Sequence, residues 1–377
     1  MVENDIATAV DADRLQAISN RILAEESGAL MEWSCHSIGP RVNNFVTGGV
    51  FRISGTSRIR EGAYRAWSVI VKVVREDPQR DDPAHYNYWR REIMVYDSGL
   101  LRNLPANLVA PQCYAIDGQV DGSVWLWLED IPHEPRTWEW DDYRYAAGKL
   151  GEFHAAYLLG EPLPEAPWLN KQWMRSWIRE CIRYRDALDP QTKAILISDR
   201  RTDSLIQRFT RLEDSIREWL QVLERLPRTF SHQDVYEQNI MLDAAREEEG
   251  KLAVIDWQFA SVSGIGEDLG RFLGLAVSRG HVPIDRFGEY RELIISSYIS
   301  GLKRAGWDGD ETLPRIGCLA AFALRSVWEA PKLLKKMAEH PDSTEWERLF
   351  SVVEHQLEAA SEVERLLADR RRNHDAS

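Results

Sequence analysis

The spacing of apolar residues changes once along this chain, and that change sets what it can fold into. Up to about residue 130 the apolar runs are short and rich in β-branched and aromatic types: VFRIS at 50–54, WSVIVKVV at 67–74, LVAPQCYAI at 108–116 and SVWLWLE at 123–129. Runs of this composition, bounded by Gly49, by Glu76-Asp77-Pro78 and by the DGQVDG turn at 117–122, predict antiparallel strands. Two or three lie between 33 and 75, with polar SRIREGAYRA (57–66) as a mobile hairpin connection, and two more near 108–116 and 123–129. Helical spacing enters this half twice, at 11–32 (Leu15, Ile18, Ile22, Leu23) and at about 85–101 (Trp89, Ile93, Tyr96, Leu100). Past the proline-containing stretch IPHEPRTW, whose Pro132 and Pro135 suit a hinge, helical periodicity takes over. It runs through Leu150, Phe153 and Tyr157, again through Leu205, Phe209, Leu212, Ile216, Leu220 and Leu223, and predicts later helices at 284–304, 313–338 and 343–370 before a frayed RRRNHDAS tail. The expected architecture is α+β: a small lobe over residues 1–131 and a mainly helical lobe over 132–377.

Bulk properties narrow the class. With 377 residues the chain is long enough for two packed domains, and a formal charge of −13 repels nucleic acid and anionic lipid while drawing in cations. The four cysteines include no C-x-x-C pair, against a zinc ribbon, a redox dithiol or a disulfide framework. No apolar run approaches the length of a membrane span, and the acidic start MVENDIATAVDADR is unlike a secretory signal, so a soluble cytoplasmic protein is expected. Several of the fifteen tryptophans are grouped, at Trp125/Trp127, Trp138/Trp140 and Trp173/Trp177, as core filler or as the lining of a ligand pocket.

One stretch of the helical half breaks its pattern: RTFSHQDVYEQNIMLDAAREEEGKLAVIDWQFAS, two β-type segments around polar loops. It holds His232-x-Asp234-x-x-x-x-Asn239 and then the apolar run Val254-Ile255 ending at Asp256-Trp257. Either acid alone reads as a turn cap or a strand end. Together, with this spacing, the two motifs resemble the signature of the aminoglycoside phosphotransferase and choline kinase superfamily, relatives of the protein kinases. The resemblance implies a two-lobed protein-kinase-like fold, transfer of the ATP γ-phosphate to a hydroxyl of a small molecule, and Mg²⁺ as the metal.

The chemistry explains the residue types. An attacking hydroxyl must be aligned with phosphorus and lose a proton, which suits the Asp234 carboxylate. The neutral amide oxygen of Asn239 and the anionic Asp256 are hard ligands for Mg²⁺. His232 reads as an organiser of the loop. In the small lobe, Lys72 is a lone charge in an apolar strand and needs a partner; the resemblance implies contact with the α- and β-phosphates and makes Glu92, rather than Glu76, its ion-pair partner. Gly48 and Gly49 suit a phosphate-covering turn, with Asn43, Asn44 and Thr47 as alternatives and an ordinary hairpin as another. The resemblance places the adenine-binding hinge at Trp127–Ile131, with Glu129 and Ile131 presenting backbone groups. It gives His154 a packing role and makes Asp268, within GEDLG, a buttress of the catalytic loop, although a helix N-cap explains Asp268 equally well.

The resemblance covers kinases of aminoglycosides, macrolides, choline, amino alcohols and sugars and so implies a small-molecule alcohol as acceptor; a protein acceptor fits less well, because the segment after Asp256 is too short for a protein-kinase activation loop. Net acidity and abundant tryptophan favour a cationic one. Trp257, Gln258, Arg325, Trp328 and Glu329 are candidates to line its pocket, with core or surface positions as the alternative. A second reading is a catalytically idle nucleotide-binding relative serving as a partner-binding module, and a third is a helical scaffold matching the motif by chance.

Overall fold

The computed structural model describes residues 3–39, 45–60, 62–106, 108–133, 136–184, 200–242, 250–340 and 343–375. Two helices lead, α1 (Glu3–Ala9) and α2 (Ala12–Leu23). Asp11 caps α2 by accepting the Arg14 N–H at 2.7 Å, and Ala24, in the left-handed region, ends it. The helix expected to reach residue 32 therefore stops nine residues earlier, and β1 (Ala29–Ser37) follows.

β1, β2 (Thr47–Arg58), β3 (Tyr64–Val74), β5 (Cys113–Gly118) and β6 (Val124–Glu129) form one antiparallel sheet in the order β1-β2-β3-β6-β5. The β2–β3 ladder continues to Arg58 opposite Tyr64, so half of the SRIREGAYRA stretch is paired strand rather than loose connection. Two-residue alternation decides which way β3 points its side chains. Val69, Val71 and Val73 pack with Phe51, Trp125 and Trp127 against Leu15 and Ile18 of α2. Ile70, Lys72 and Val74 consequently occupy the other face, towards the second lobe.

Behind that face lies α3 (Arg91–Asp97), shorter than the expected 85–101. Buried Arg91 explains the late start: its guanidinium donates to the carbonyls of Tyr86 (2.6 Å), Pro83 (2.8 Å) and His85 (2.8 Å), holding the preceding segment in turns. The single strand expected at 108–116 is split around Pro111. Its first part, β4 (Leu108–Val109), leaves the five-stranded sheet and pairs in parallel with β9 (Leu252–Val254) in the helical half, where β9 also pairs with β8 (Ile240–Met241).

The remaining helices are α4 (Trp140–Leu158), α5 (Trp173–Tyr184), α6 (Arg200–Arg225), α7 (Glu267–Arg279), α8 (Phe287–Arg304), α9 (Thr312–Leu324), α10 (Ser326–Glu339) and α11 (Glu347–Asp375). The helix expected at 313–338 is broken at Arg325, where the Ser326 hydroxyl donates to the Ala323 carbonyl at 2.7 Å. The expected frayed tail is helical to Asp375; Arg370 is held there by Asp310 and by Thr312 Oγ1. A two-stranded ribbon, β7 (Arg228–Ser231) with β10 (Ser261–Gly264), together with the β4-β9-β8 sheet frames the His232–Asn239 loop. A mainly helical C-terminal half under an N-terminal antiparallel sheet is the protein-kinase-like arrangement. No helix among the described residues is long and apolar enough to cross a membrane.

Candidate active site

The cleft between the two halves holds a cation clasped by two acids. Lys72 Nζ lies 2.6 Å from Glu92 Oε2 on α3 and 2.8 Å from Asp256 Oδ1 at the end of the β9 segment. Lys72 is 5 % exposed and Glu92 2 %. Burial works against the Lys72 charge, but Asp256 and Glu92 overcome it and hold its pKa above the usual lysine value. Burial pushes the Glu92 carboxyl the other way, above the carboxylate range, because Lys72 is shared and the Asp256 charge adds to the cost. Glu92 Oε1 is buried with no hydrogen-bond partner among the described residues. One cation between two carboxylates leaves a negative charge in excess, which a divalent cation would offset.

Asp256 is aimed by its backbone. It sits in the left-handed region at φ 65°, uncommon for a residue with a side chain, and a 3₁₀ turn over Trp257–Phe259 follows it. Trp257 is the wedge that fixes this turn. It is fully buried, stacks on Phe230 at 5.6 Å between ring centres, and donates Nε1–H to the Val254 carbonyl at 2.9 Å. It is thus core rather than pocket lining; of the other proposed lining residues, Trp328 is exposed, Gln258 is buried, and Arg325 is buried against Glu329 at 2.9 Å.

The loop carrying Asp234 is anchored from below by Asp268. The Asp268 carboxylate accepts the backbone N–H groups of His232, at 2.8 Å, and of Gln233. Burial raises its pKa, but His154, 3.4 Å away, and His232 outweigh that and keep it below the usual aspartate value. The helix cap of α7 is Gly266, so the capping explanation for Asp268 does not apply. His154 Nδ1 in turn contacts the Tyr298 hydroxyl at 2.7 Å, so His154 packs behind Asp268 and reaches the loop only through it. Gln233 adopts φ 63°, another left-handed non-glycine, steadied by its Nε2 on Ser263 Oγ at 2.7 Å.

His232 ties this loop to the strand segment that ends at Asp256. Its Nε2 donates to the Ile255 carbonyl at 2.9 Å and its Nδ1 accepts the Asp234 N–H at 3.2 Å, which requires a neutral ring. Burial lowers its pKa, against the raising effect of Asp268 and Asp234. Asn239 completes the loop. Its Nδ2 donates to the Asp234 carbonyl at 2.8 Å and to Asp234 Oδ2 at 3.0 Å, and its backbone carbonyl accepts the Ile255 N–H at 2.9 Å. With both amide hydrogens spent on Asp234, the Asn239 oxygen is the atom left to face a cation. Among the described residues no three His, Cys, Asp or Glu side chains form a metal cluster. A cation between Asp256 and Asn239 would need phosphate and water oxygens to complete its shell, the habit of Mg²⁺ beside a nucleotide.

Sequence reasoning missed Arg271. It donates to Asp234 Oδ1 from Nη2 at 2.8 Å and Nε at 3.2 Å. Asp234 itself is 9 % exposed. The signal was available: Arg271 lies three residues past Asp268 on α7, so a helix that turns Asp268 to the loop turns Arg271 to it as well.

The glycines and the hinge have local explanations. Gly48 and Gly49 begin β2 at a bulge opposite Val73 and Val74. A Cβ on Gly48 would fall 2.9 Å from Val73 Cγ1, and one on Gly49 2.5 Å from the Phe51 ring. Packing thus accounts for both, while Asn43 and Asn44 lie outside the described residues. At the hinge the Glu129 N–H donates to the Gln112 carbonyl at 2.8 Å, Ile131 is 7 % exposed, and Asp130 holds Arg52 at 2.8 and 3.0 Å.

A two-lobed chain with a lysine–diacid cluster facing an H-x-D-x-x-x-x-N loop belongs to the class of protein-kinase-like phosphotransferases. The family model described as "Phosphotransferase enzyme family" (APH) matches residues 62–310, and the chain belongs to that family. Among solved structures, amicoumacin kinase hAmiN in complex with AMP-PNP, Ca²⁺ and Ami aligns over 96 % of this chain and 96 % of its own, at TM-score 0.52 and 11 % identity, and has the same fold. An ethanolamine kinase of Plasmodium vivax aligns over 94 % of this chain and 84 % of its own at TM-score 0.44 and 11 % identity. Aminoglycoside phosphotransferase APH(3'')-Id of Streptomyces rimosus aligns over 85 % and 99 % at TM-score 0.43 and 14 % identity. No curated protein matches the chain in sequence.

Proposed function

We propose that the chain is an ATP-dependent, Mg²⁺-dependent kinase of a small-molecule alcohol. The observation that carries this reading is the Lys72–Glu92–Asp256 cluster tied through His232 and Ile255 to the Asp234 loop. Residues 1–131 supply the nucleotide lobe, apart from the Leu108–Val109 strand, and 132–377 the lobe with the catalytic loop and acceptor site. Lys72 orients the α- and β-phosphates and is itself oriented by Glu92. Gly48 and Gly49 bring backbone close to the phosphates, and Glu129 and Ile131 lie along the adenine edge. Mg²⁺, held by Asp256 and Asn239, would neutralise charge building on the phosphate oxygens. The AMP-PNP and Ca²⁺ of the amicoumacin kinase complex are in keeping with a nucleoside triphosphate and a divalent ion.

Asp234 accepts the proton of the acceptor hydroxyl as its oxygen bonds to the γ-phosphorus. The bond from that phosphorus to the β,γ-bridging oxygen breaks, and ADP leaves. Asn239 fixes the Asp234 carboxylate through Oδ2, and Oδ1, which Arg271 holds in the free protein, is the reacting oxygen. The idle nucleotide-binding alternative gains nothing from this geometry, since Lys72, Asp234, Asn239 and Asp256 are all present and joined. The test is a screen of purified protein with Mg-ATP against small alcohols, read by ADP release and by acceptor mass. A mass gain of one phosphoryl group is expected for one chemical class; stoichiometric ATP binding with no transfer to any alcohol would favour the idle alternative.

A further inference from the structure

The acceptor side of the cleft is built from arginine. Arg271 grips Asp234 Oδ1, with its guanidinium 5.7 Å from the Trp173 ring centre and 6.0 Å from that of Trp177. One turn along α7, position 274 is a glycine, and the side chain of Arg325 lies across it: a Cβ there would fall 2.2 Å from Arg325 Cδ and 2.3 Å from its Nε. Arg325 is 6 % exposed; its Nη2 is hydrogen-bonded to Glu329, while Nε and Nη1 are buried with no partner among the described residues. Burial lowers the Arg325 pKa, Glu329 opposes this, and the neighbouring charge of Arg271 adds to the lowering. Further along α7, Arg279 stands 4.1 Å over the Tyr236 ring and donates to Gln238 Oε1 at 2.8 Å, both residues of the catalytic loop.

Of the acids nearby, Glu329 is engaged through both oxygens, whereas Glu237 keeps a buried Oε2 with no partner among the described residues. Glu329 accepts from Arg325, from Ser278 at 2.7 Å and from Gln356, and Glu237 accepts from Tyr143 at 2.6 Å. A molecule reaching Asp234 therefore meets guanidinium groups, one of them with unsatisfied buried donors. Buried donors left unpaired beside a like charge are costly, and an anion bridging them removes that cost.

We propose that the acceptor is an anionic alcohol, with a carboxylate or phosphate close to the hydroxyl that is phosphorylated, and that Arg271 is the residue that docks this anion. The proposal rests on the kinase reading above and replaces the cationic acceptor that net charge favours; the −13 is spread over the whole chain, whereas the groups around Asp234 are local. Docking also explains why the proposed base is paired in the free protein. Arg271 releases Asp234 Oδ1 when the anion takes the guanidinium, so the carboxylate becomes available as the hydroxyl arrives, and water meets an engaged base.

The experiment uses the full chain with Mg-ATP and four matched sets of short alcohols: hydroxycarboxylates, phosphorylated alcohols, neutral polyols and amino alcohols. The expected result is a kcat/KM at least about tenfold higher for one of the two anionic sets, the pair distinguishing carboxylate from phosphate. Arg271→Gln should raise KM for that acceptor about tenfold or more, raise acceptor-free ATP hydrolysis, and keep the parent melting temperature within a few degrees. Arg271→Lys should recover part of the KM. Transfer confined to amino alcohols or polyols leaves the kinase reading standing and overturns the anionic acceptor. An unchanged KM in a folded Arg271→Gln protein overturns the docking role, and ATP binding without transfer to any set overturns both readings.

Discussion

Lys72 and Asp234 are both buried charges in one cleft, and their surroundings are opposite. Lys72 is a single cation between two carboxylates, Glu92 and Asp256. Asp234 is a carboxylate against the guanidinium of Arg271, with Arg325 lying one helical turn beyond. A buried charge persists only where partners compensate it, so overcompensation is informative. The Lys72 cluster carries surplus negative charge, the sign that receives a metal ion; in the Asp234 cluster Arg271 is balanced by Asp234 and Arg325 by Glu329, but two buried Arg325 donors are left unpaired among the described residues, which suits an anion. One half of the cleft thus has an unbalanced charge and the other unpaired buried donors, each suited to what it is proposed to bind.

The largest effect should come from the acceptor half. Asp234→Asn keeps the shape and the Asn239 contact but cannot take a proton, so single-turnover transfer should fall about 10²–10⁴-fold while Mg-ATP affinity stays near the parent value. Near-parent transfer would remove Asp234 from the chemistry and with it the contrast between the two halves.

On the nucleotide half, Lys72→Ala should lower turnover about 10²–10³-fold and also lower the melting temperature, since it strands two carboxylates. Adding Glu92→Gln to that variant should restore much of the melting temperature and none of the turnover. Recovery of both would mean that Lys72 matters to the fold alone.

Glu92→Gln by itself removes the surplus negative charge and loosens Lys72. About a tenfold loss of turnover is expected, with a higher Mg²⁺ concentration needed for half-maximal rate. A Mg²⁺ requirement identical to that of the parent would contradict the charge argument.

The smallest effect concerns His232, which joins the halves. Its folded pKa is lowered by burial, so the unfolded chain binds the proton more readily. Its contribution to stability is complete above about pH 6.5 and is lost as pH falls towards the folded value. Melting temperature should therefore drop on acidification below that point, and His232→Asn, less stable at neutral pH, should show a shallower acid slope. Equal slopes would mean that another group governs the acid limb.

The positions that sequence revealed were those whose local pattern is odd. Lys72 interrupts an apolar strand, Asp234 and Asn239 stand in a polar loop between β-type runs, and Asp256 ends one of them. Arg271 and Arg325 were not singled out together because their meeting depends on tertiary facts: the rotation of α7 set by Asp268, the glycine at 274 and the helix break at 325. The fold followed the same rule. Long periodic segments such as 140–158 and 203–225 were legible, whereas a two-residue strand at 108–109 leaves no periodic trace, with Pro111 the one mark of its separation from β5.

That short strand bears on how the molecule can be divided. Leu108 and Val109 lie ahead of the hinge in the chain yet stand opposite Leu252 and Ala253 in a parallel strand pair, in the run that leads to Asp256. The connection between the halves is therefore double, once by the covalent hinge and once by this parallel pairing. Severing the chain at residue 131 would strip a neighbour from β9 and bare a sheet edge in the larger fragment. The two fragments should recombine when mixed better than either survives alone, and a cut elsewhere, in an exposed helix connection, should be tolerated far more readily.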